Sequence, residues 1–307
     1  MICNEEKPTT SVLVVGNVTI DELYAVRTLP RPGESITGTL RVNDVGGKGA
    51  NVATLLSRCG LPTRFTTAVG NDERGAHVQS RLSLESLQLD IEVLPSIPTD
   101  VSLIFSDEHG ENTIVTTTGA THHLQQMRVI NALDQLRPKD VLVLQANLTE
   151  AMTRFAINHA KRRDLQIVFN PSPFAPWVKQ VINGVDILFV NAEESQDLAG
   201  SCDEAAVRAL LEQGPSQVVV TLGEQGALLG SDTIISVPAV HGEVVDTTGA
   251  GDTFLAVAVA SACLRGTRLD RVALRHAALA AAGTISNHGT RSAFPSAKEL
   301  VRILSVV

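Results

Sequence analysis

The chain has 307 residues, of which 44% are hydrophobic and 19% are charged, and its formal net charge is −8. These values are ordinary for a globular protein and exclude a disordered chain. The acidic excess argues against a nucleic acid or an anionic membrane surface as a partner, because neither attracts an acidic protein. We therefore expect the partners to be small molecules.

The cysteines and the first residues indicate a cellular compartment. The four cysteines are far apart and have no metal-ligand spacing: Cys3, Cys59, Cys202 and Cys263. In a chain of this length they are expected to be reduced thiols of a cytosolic protein. Residues 1–10 are polar and lack the apolar segment of a signal peptide, and no apolar run reaches the ~18 residues of a membrane span. We expect a soluble, cytoplasmic protein.

The first third of the chain mixes strands and helices. An apolar run at residues 11–15 predicts a buried strand, and residues 34–45 predict a β-ribbon with one exposed face. A glycine-rich segment at 46–51 opens a predicted helix that ends near Cys59. The sequence then predicts a strand at 65–69 and a helix at 71–84, capped by Asp72 or Asn71.

The rest of the chain has a more regular rhythm. Two strands at 101–106 and 112–117, joined by a polar turn at 107–110, predict a hairpin. Later strands are predicted at 141–144, 166–169, 187–190 and 218–221, and the helices between them include 149–162 and 203–213. This alternation predicts an α/β fold, with a mostly parallel sheet covered by helices on both faces.

Domain organisation follows from the lack of a linker rich in Gly, Ser or Pro. We expect one three-layer α/β domain over residues 1–307, with a small β-sheet lid formed by about 18–45 and 98–118. A lid sheet has one face without helices, so it should close over a ligand or pair with another subunit.

The segment from Asp246 to Phe254 carries the clearest chemistry. Its glycines immediately precede a helical run at 255–264, so free backbone N–H groups and the helix dipole can form an anion hole. Asp252, within this turn, could accept the proton of an attacking hydroxyl group. The alternative is a helix N-terminus with permissive glycines.

Two signatures and their order carry a resemblance to a known family. The segment 246–254 resembles the C-terminal signature of the ribokinase family of carbohydrate kinases, and Gly46-Gly47-Lys48-Gly49-Ala50-Asn51 resembles its N-terminal signature. Shorter matches are similar along essentially the whole chain: 17–21, 170–173, 191–194 and 221–226. The resemblance implies a ribokinase-like fold and ATP-dependent phosphorylation of a sugar hydroxymethyl group.

The resemblance assigns the phosphoryl-transfer residues. Asp252 would be the catalytic base, and the N–H groups of Gly249, Ala250 and Gly251 would form the anion hole. Asn191 and Glu194 would help to hold Mg²⁺ and the ATP phosphates, mostly through water, as suits an ion that keeps several waters. The alternative for Glu194 is a solvated helix start that the dipole favours.

The resemblance also implies a nucleotide site and a monovalent-cation site. Thr221 and Gly223 resemble the strand end beside the nucleotide, and His276 resembles the family's adenine-side histidine, although a lone histidine in an alanine-rich helix is more often a packing residue. Asp246 and Thr248 resemble part of a potassium site, whose other contacts would come from residues 282–293.

The predicted sugar site has two walls. Its residues, as the resemblance implies, are Asn17, Asp21, Gly46, Gly47, Lys48, Asn51 and Asn147. Asp21 can hydrogen-bond vicinal hydroxyls, and the alternative is a turn residue after a strand. Two positions depart from the family: Asn147 stands where ribokinases place a glutamate, and Thr121 where the family has an asparagine. A related pentose, a modified sugar or a nucleoside could therefore be the substrate.

Several hypotheses compete at this point. The first is an ATP- and Mg²⁺-dependent kinase of ribose or a related pentose or ketose. A nucleoside kinase on the same fold, a non-catalytic sugar or nucleotide sensor and a dinucleotide-dependent dehydrogenase are alternatives, and the last lacks the second and third glycines of that fingerprint after the first strand. Edge strands of the exposed lid predict a homodimer.

Overall fold

The computed structural model describes residues 10–108, 112–287 and 289–306. Its strands, in chain order, are β1 Val12–Val15, β2 Thr19–Val26, β3 Gly38–Gly46, β4 Thr63–Gly70, β5 Leu87–Leu94, β6 Val101–Ser106, β7 Asn112–Thr116, β8 Val141–Gln145, β9 Gln166–Asn170, β10 Ile187–Asn191, β11 Gln217–Thr221, β12 Ala227–Gly230 and β13 Ile234–Val237. Its helices are α1 Lys48–Arg58, α2 Glu73–Leu82, α3 Gly119–His122, α4 Gln126–Leu133, α5 Glu150–Arg162, α6 Ala192–Ala199, α7 Glu204–Leu211, α8 Ala250–Arg265, α9 Arg271–Ile285 and α10 Ala297–Leu304.

The large sheet has the strand order β13-β12-β11-β10-β9-β8-β1-β4-β5. In this spatial order, every neighbouring pair between β5 at one edge and β11 is parallel. Strands β12 and β13 extend the sheet beyond β11 with antiparallel pairing. The predicted mostly parallel α/β sheet is therefore confirmed. Because the carboxyl ends of the parallel strands lie at one edge, the loops after β1, β8 and β10 gather there.

Helices cover both faces of this sheet. In β1, Val12 and Val14 belong to a core that includes α1, α8 and α9, whereas Leu13 and Val15 belong to a second core with α4, α5 and α7. All four residues of β1 are fully buried, which explains why this strand is a continuous apolar run.

The second sheet is small and has the order β3-β2-β6-β7. Its pairings are antiparallel except for β2 with β6, and its strands lie within the predicted lid segments. The predicted small second sheet is thus confirmed, and its action as a lid stays a prediction. Part of the turn expected at 107–110 lies outside the described residues.

Some elements were not predicted. Strand β5 alternates apolar and polar residues, which is a period-2 signal that the prediction overlooked, and it pairs in parallel with β4. Helix α2 begins after Asp72, whose carboxylate accepts a hydrogen bond of 2.7 Å from Gly75 N, so Asp72 is the cap.

The described cysteines form no disulfide bonds, and the described helices include no membrane span. Cys59, Cys202 and Cys263 are free thiols, as expected, while Cys3 lies outside the described residues. Burial raises the pKa of Cys59 to about 12, so this thiol is unreactive at neutral pH. None of the described helices is both long and apolar enough to cross a bilayer.

Candidate active site

Asp252 is the third residue of α8 and is buried, with 7% of its surface exposed. Its Oδ2 accepts a hydrogen bond of 2.8 Å from Asn51 Nδ2, and its Oδ1 lies 3.9 Å from Lys48 Nζ. A carboxylate in the first turn of a helix is stabilised by the helix dipole. The structure therefore brings together three predicted site residues that are distant in sequence.

The two glycines before Asp252 have different roles. Gly249 adopts the left-handed conformation, with φ 78°, and a Cβ there would lie 2.7 Å from the Phe294 ring. A Cβ on Gly251 would meet no atom within 4 Å, so this backbone faces open space. Gly249 makes the turn, and Gly251 leaves room for a group to approach the start of α8.

The N-terminus of α1 is held by the end of β1. Asn17 Oδ1 accepts a hydrogen bond of 3.2 Å from Gly49 N, and Asn17 O accepts one of 3.1 Å from Ala50 N. Gly47 caps the helix with φ 90°, and a Cβ there would lie 2.9 Å from the backbone of Val18. The N-terminal glycines thus allow α1 to begin close to β1, which places Asn51 against Asp252.

Asp21 lies in the other wall of the predicted sugar site. Its Oδ1 accepts a hydrogen bond of 2.7 Å from Thr19 Oγ1, and its Oδ2 accepts one of 3.2 Å from Thr290 Oγ1. A side chain at Gly46 would overlap the Asp21 carboxyl group. Burial raises the pKa of Asp21, the charge of Asp252 adds to this effect, and the hydroxyl hydrogen bonds oppose it.

Asn147 lies beyond the end of β8 and is 6% exposed. Its Oδ1 is buried and has no hydrogen-bond partner in the described part of the chain, and the same is true of both polar atoms of Gln145. Buried amides of this kind normally have partners, so an ordered water or a bound group is expected beside Asn147, whereas Gln145 is fully buried and leaves room for a water at most. The prediction did not include Gln145. Thr121, which stands where the family has an asparagine, donates a hydrogen bond of 2.7 Å from its hydroxyl group to Asp100 Oδ2.

Asn191 and Glu194 form a capping box at the start of α6. Asn191 Oδ1 accepts from Glu194 N at 2.7 Å, and Glu194 Oε2 accepts from Asn191 N at 3.0 Å and from Asn170 Nδ2 at 3.2 Å. The helix-start interpretation of Glu194 therefore describes its contacts, although this carboxylate is buried rather than solvated.

A cavity of about 70 Å³ joins α6 to α8. Its lining includes Lys48, Asn191, Glu194, Thr221, Gly251 and Asp252, all of which were predicted site residues. It also includes Asn170 and Ser172, which lie in a segment that resembles the family but had no assigned role. The cavity is smaller than the ~300 Å³ of a typical ligand pocket, so it suits a phosphate group rather than a whole nucleotide.

Two other predicted nucleotide residues have different surroundings. Gly223, with φ 57°, begins a short 3₁₀ turn after β11, and a Cβ there would meet no atom within 4 Å. His276 is 2% exposed, and its ring nitrogens lie 2.8 Å from Ser261 Oγ and 2.7 Å from Val306 O. These contacts tie His276 to α8 and the C-terminal segment, and the structure does not bring it together with the cavity beside Asp252.

Asp246 links the turn before α8 to the segment after α9. Its Oδ1 accepts from Thr248 N at 2.9 Å, and its Oδ2 accepts from Gly289 N at 3.2 Å. The next residue, Thr290, contacts Asp21 and was not predicted, because no local motif marks it. Asp246 and Thr248 are therefore brought next to the region from which further cation contacts were expected.

The arrangement fits a magnesium ion held largely by water. No group of three or more His, Cys, Asp or Glu side chains that could enclose a metal occurs among the described residues. Buried Glu194 and Asp252 both line the small cavity, and Asn191 lines it too. Mg²⁺ usually binds through one or two carboxylates together with substrate phosphates and waters, which this donor set allows.

Comparisons with known proteins agree on one family. The family model described as pfkB family carbohydrate kinase matches residues 9–297. The chain is 29% identical over 304 residues to a ribokinase of Haemophilus influenzae, covering 96% of this chain and 98% of the relative. It is 27% identical over 304 residues to a deoxyribokinase of Salmonella typhi, covering 96% and 99%. A structure of Arabidopsis thaliana ribokinase complexed with ribose and ATP is 25% identical, with a TM-score of 0.83 and coverage of 97% and 100%.

Proposed function

Because the chain belongs to the pfkB family of carbohydrate kinases, we propose that it transfers the γ-phosphoryl group of MgATP to a hydroxymethyl group of ribose or a related pentose or ketose. The observation that supports this proposal most strongly is the contact of Asn51 and Lys48 with Asp252. It joins the predicted sugar wall to the predicted base, as a direct transfer requires.

In the proposed reaction, Asp252 acts as the base and the start of α8 stabilises the transferred group. Asn51 holds Oδ2 of Asp252, and Oδ1 takes the proton of the sugar hydroxyl as that oxygen attacks the γ-phosphorus. The bond from the γ-phosphorus to the β-phosphate oxygen breaks, and ADP leaves. The N–H groups of Gly249 and Gly251, at the positive end of α8, stabilise the negative charge on the transferred group. Ala250 N, the third predicted donor, donates to Thr247 O at 3.3 Å and would have to leave this carbonyl to take part.

Binding is assigned to the two walls and to the carboxyl ends of the strands. Asn17, Asp21, Gly46, Gly47 and Asn147 hold the sugar. Asn191, Thr221 and Gly223 are assigned to ATP, and Glu194 to the Mg²⁺ hydration shell. His276 is left out of this assignment, because both of its ring nitrogens are engaged by Ser261 and Val306. When bound, Mg²⁺ neutralises phosphate charge.

A monovalent cation, potassium, is assigned to Asp246 and Thr248. Asp246 accepts from Gly289 N, so an ion there would steady the turn that carries the anion hole. The prediction is higher turnover in K⁺ than in Na⁺ at equal ionic strength, and equal rates would contradict it.

An ATP-consumption assay tests the function. It uses Mg²⁺ and K⁺ with pentoses, 2-deoxyribose, hexoses, ketoses and nucleosides, and Asp252→Asn is the control. We expect turnover on a free pentose or ketose that the variant lacks. Turnover on nucleosides alone would favour the nucleoside kinase alternative, which the departure at Asn147 leaves open. ATP binding without turnover on any acceptor would favour the sensor.

A homodimer through the lid is also proposed. The outer strands β3 and β7 expose Leu40 to 47%, Ile114 to 54% and Val115 to 55%. Apolar side chains on unpaired edge strands favour association with a second copy. Sedimentation at micromolar concentration should give a dimer, and a monomer would contradict the proposal.

A further inference from the structure

A cavity of about 420 Å³ lies between α1, α2, the end of β3 and the segment that leads into α10. Its charged lining residues are Asp44, Arg58, Arg81, Glu85 and Arg291. None of them was predicted as a site residue, and the small cavity beside Asp252 shares no lining residue with this one. The larger cavity is called the arginine cavity below.

The charges in the arginine cavity are unequal. Three guanidinium groups face two carboxylates, which leaves one formal positive charge in a chain whose net charge is −8. Glu85 Oε1 accepts from Arg58 Nη2 at 2.6 Å and from Arg291 Nη2 at 2.8 Å. Burial raises the pKa of Glu85, but the hydrogen bonds from these two arginines outweigh it and hold the pKa below its usual value. Glu85 is therefore ionised at neutral pH and is shared by two cations.

Two of the arginines have donor capacity left. The Arg291 side chain is 7% exposed, and its buried Nη1 has no hydrogen-bond partner in the described ranges. The Arg81 side chain is 45% exposed, and its Nε lies 3.7 Å from Asp44 Oδ1, which is too far for a hydrogen bond. Because Arg291 Nη1 is closed to solvent, an anion in the cavity would accept chiefly from the exposed Arg81 guanidinium, beside the buried positive charge of Arg291.

We propose that the arginine cavity is a binding site for a small anion that carries a phosphate or carboxylate group. The planar fork of a guanidinium matches both groups in geometry and charge. Ser296 and Ala297, at the N-terminus of α10, also line the cavity. The Glu299 carboxylate already accepts from Ser296 N and Oγ, so the guanidinium groups rather than this helix end would bind the anion. The volume lies in the ~300–1,000 Å³ range of small-molecule pockets, so the site has room for an organic anion as well as for inorganic phosphate.

Three consecutive residues connect this site to the proposed sugar site. Gly289 N donates to Asp246, Thr290 Oγ1 donates to Asp21, and Arg291 lines the arginine cavity. An anion that holds Arg291 therefore acts on the backbone that positions Thr290 against the sugar wall. Because linkage is reciprocal, sugar should change the anion affinity by the same factor. This coupling rests on the proposed function, whereas the site itself does not.

Isothermal titration calorimetry with inorganic phosphate, without nucleotide, tests the site. Phosphate could also bind the anion hole near Lys48, so three variants are compared. Arg81→Gln removes the exposed guanidinium of the cavity. Arg74→Gln is the control on the same helix, with a side chain that is 50% exposed. Lys48→Gln removes the charge that lines the small cavity beside Asp252 and leaves the arginine cavity unchanged. We expect binding to weaken about tenfold or more in Arg81→Gln, as for loss of one charged hydrogen bond, and to persist in the other two.

Other results would overturn the proposal. Phosphate binding that is absent from the wild type, or equally tight in Arg81→Gln, would remove the site, and loss in Lys48→Gln alone would assign it to the anion hole. The same variants are then titrated with citrate, a carboxylate. Citrate binding that weakens in Arg81→Gln would show that the cavity also accepts carboxylates, and binding of phosphate alone would restrict it to phosphate groups. A titration with saturating ribose measures the coupling, and unchanged phosphate affinity would remove the coupling while leaving the site.

Discussion

Asn51 and Asp252 are 201 positions apart, yet a hydrogen bond of 2.8 Å joins Nδ2 of the first to Oδ2 of the second. Asn51 lies in the first turn of α1 and Asp252 in the first turn of α8. The positive ends of two helix dipoles therefore meet at one carboxylate, with Lys48 beside it. Such a place favours a negatively charged phosphoryl group, and the hydrogen bond from Asn51 orients the base.

The contact predicts the effect of Asp252→Asn. The variant keeps the size of the side chain and leaves an amide oxygen to accept from Asn51, so the fold should be retained. It cannot take a proton, and general base catalysis typically contributes ~10²–10⁴ in rate. We expect kcat to fall by about that factor, with the melting temperature within a few degrees of the wild type. A variant that folds and retains full turnover would remove Asp252 as the base.

Alanine substitution should lower stability at Gly249 and activity at Gly251. Gly249→Ala places a side chain in the left-handed region and against the Phe294 ring, so unfolding free energy should fall by about 1–3 kcal/mol. Gly251→Ala meets open space and should unfold like the wild type. Its methyl group instead enters the approach to α8 and should lower kcat/KM. Thermal unfolding of both variants, with turnover, tests this; equal loss of stability would contradict it.

Asp21 should make stability and activity respond oppositely to one substitution. Because burial raises its pKa, the folded state binds this proton more tightly than the unfolded chain does. The resulting stabilisation is complete below the unfolded pKa and is lost as pH rises through the folded pKa. Asp21→Asn removes the buried charge, so its gain in melting temperature over the wild type should grow from acidic to neutral pH.

The same variant should bind sugar more weakly. Loss of a charged hydrogen bond, worth about 1.5–3 kcal/mol, corresponds to a KM roughly 10- to 100-fold higher. Melting curves from acidic to weakly alkaline pH and sugar KM at neutral pH test both halves. A stability gain that is largest in acid would contradict the assigned direction of the Asp21 pKa.

The parallel sheet, the strands of the small sheet and the residues within the two signatures could be predicted from the sequence, because they follow from local periodicity and glycine spacing. It could not indicate Thr290, whose contact with Asp21 spans 269 positions, or Arg291, which donates to Arg81 O in α2 and to Glu85 after that helix. Such contacts depend on tertiary packing after α9. His276 illustrates the reverse case, since the family resemblance assigned it to the nucleotide, whereas its ring is engaged by Ser261 and Val306.

Asn147 should control the choice of acceptor. Its Oδ1 has no partner in the described residues, and the resemblance to the family implies a glutamate at this position. Asn147→Glu adds a charged acceptor, so kcat/KM for ribose should rise about tenfold or more relative to 2-deoxyribose and other acceptors. Asn147→Gln is the matched control, because it has the same length without the charge. If both variants shift the ratio equally, length rather than charge decides the preference; if neither does, Asn147 does not contact the distinguishing hydroxyl.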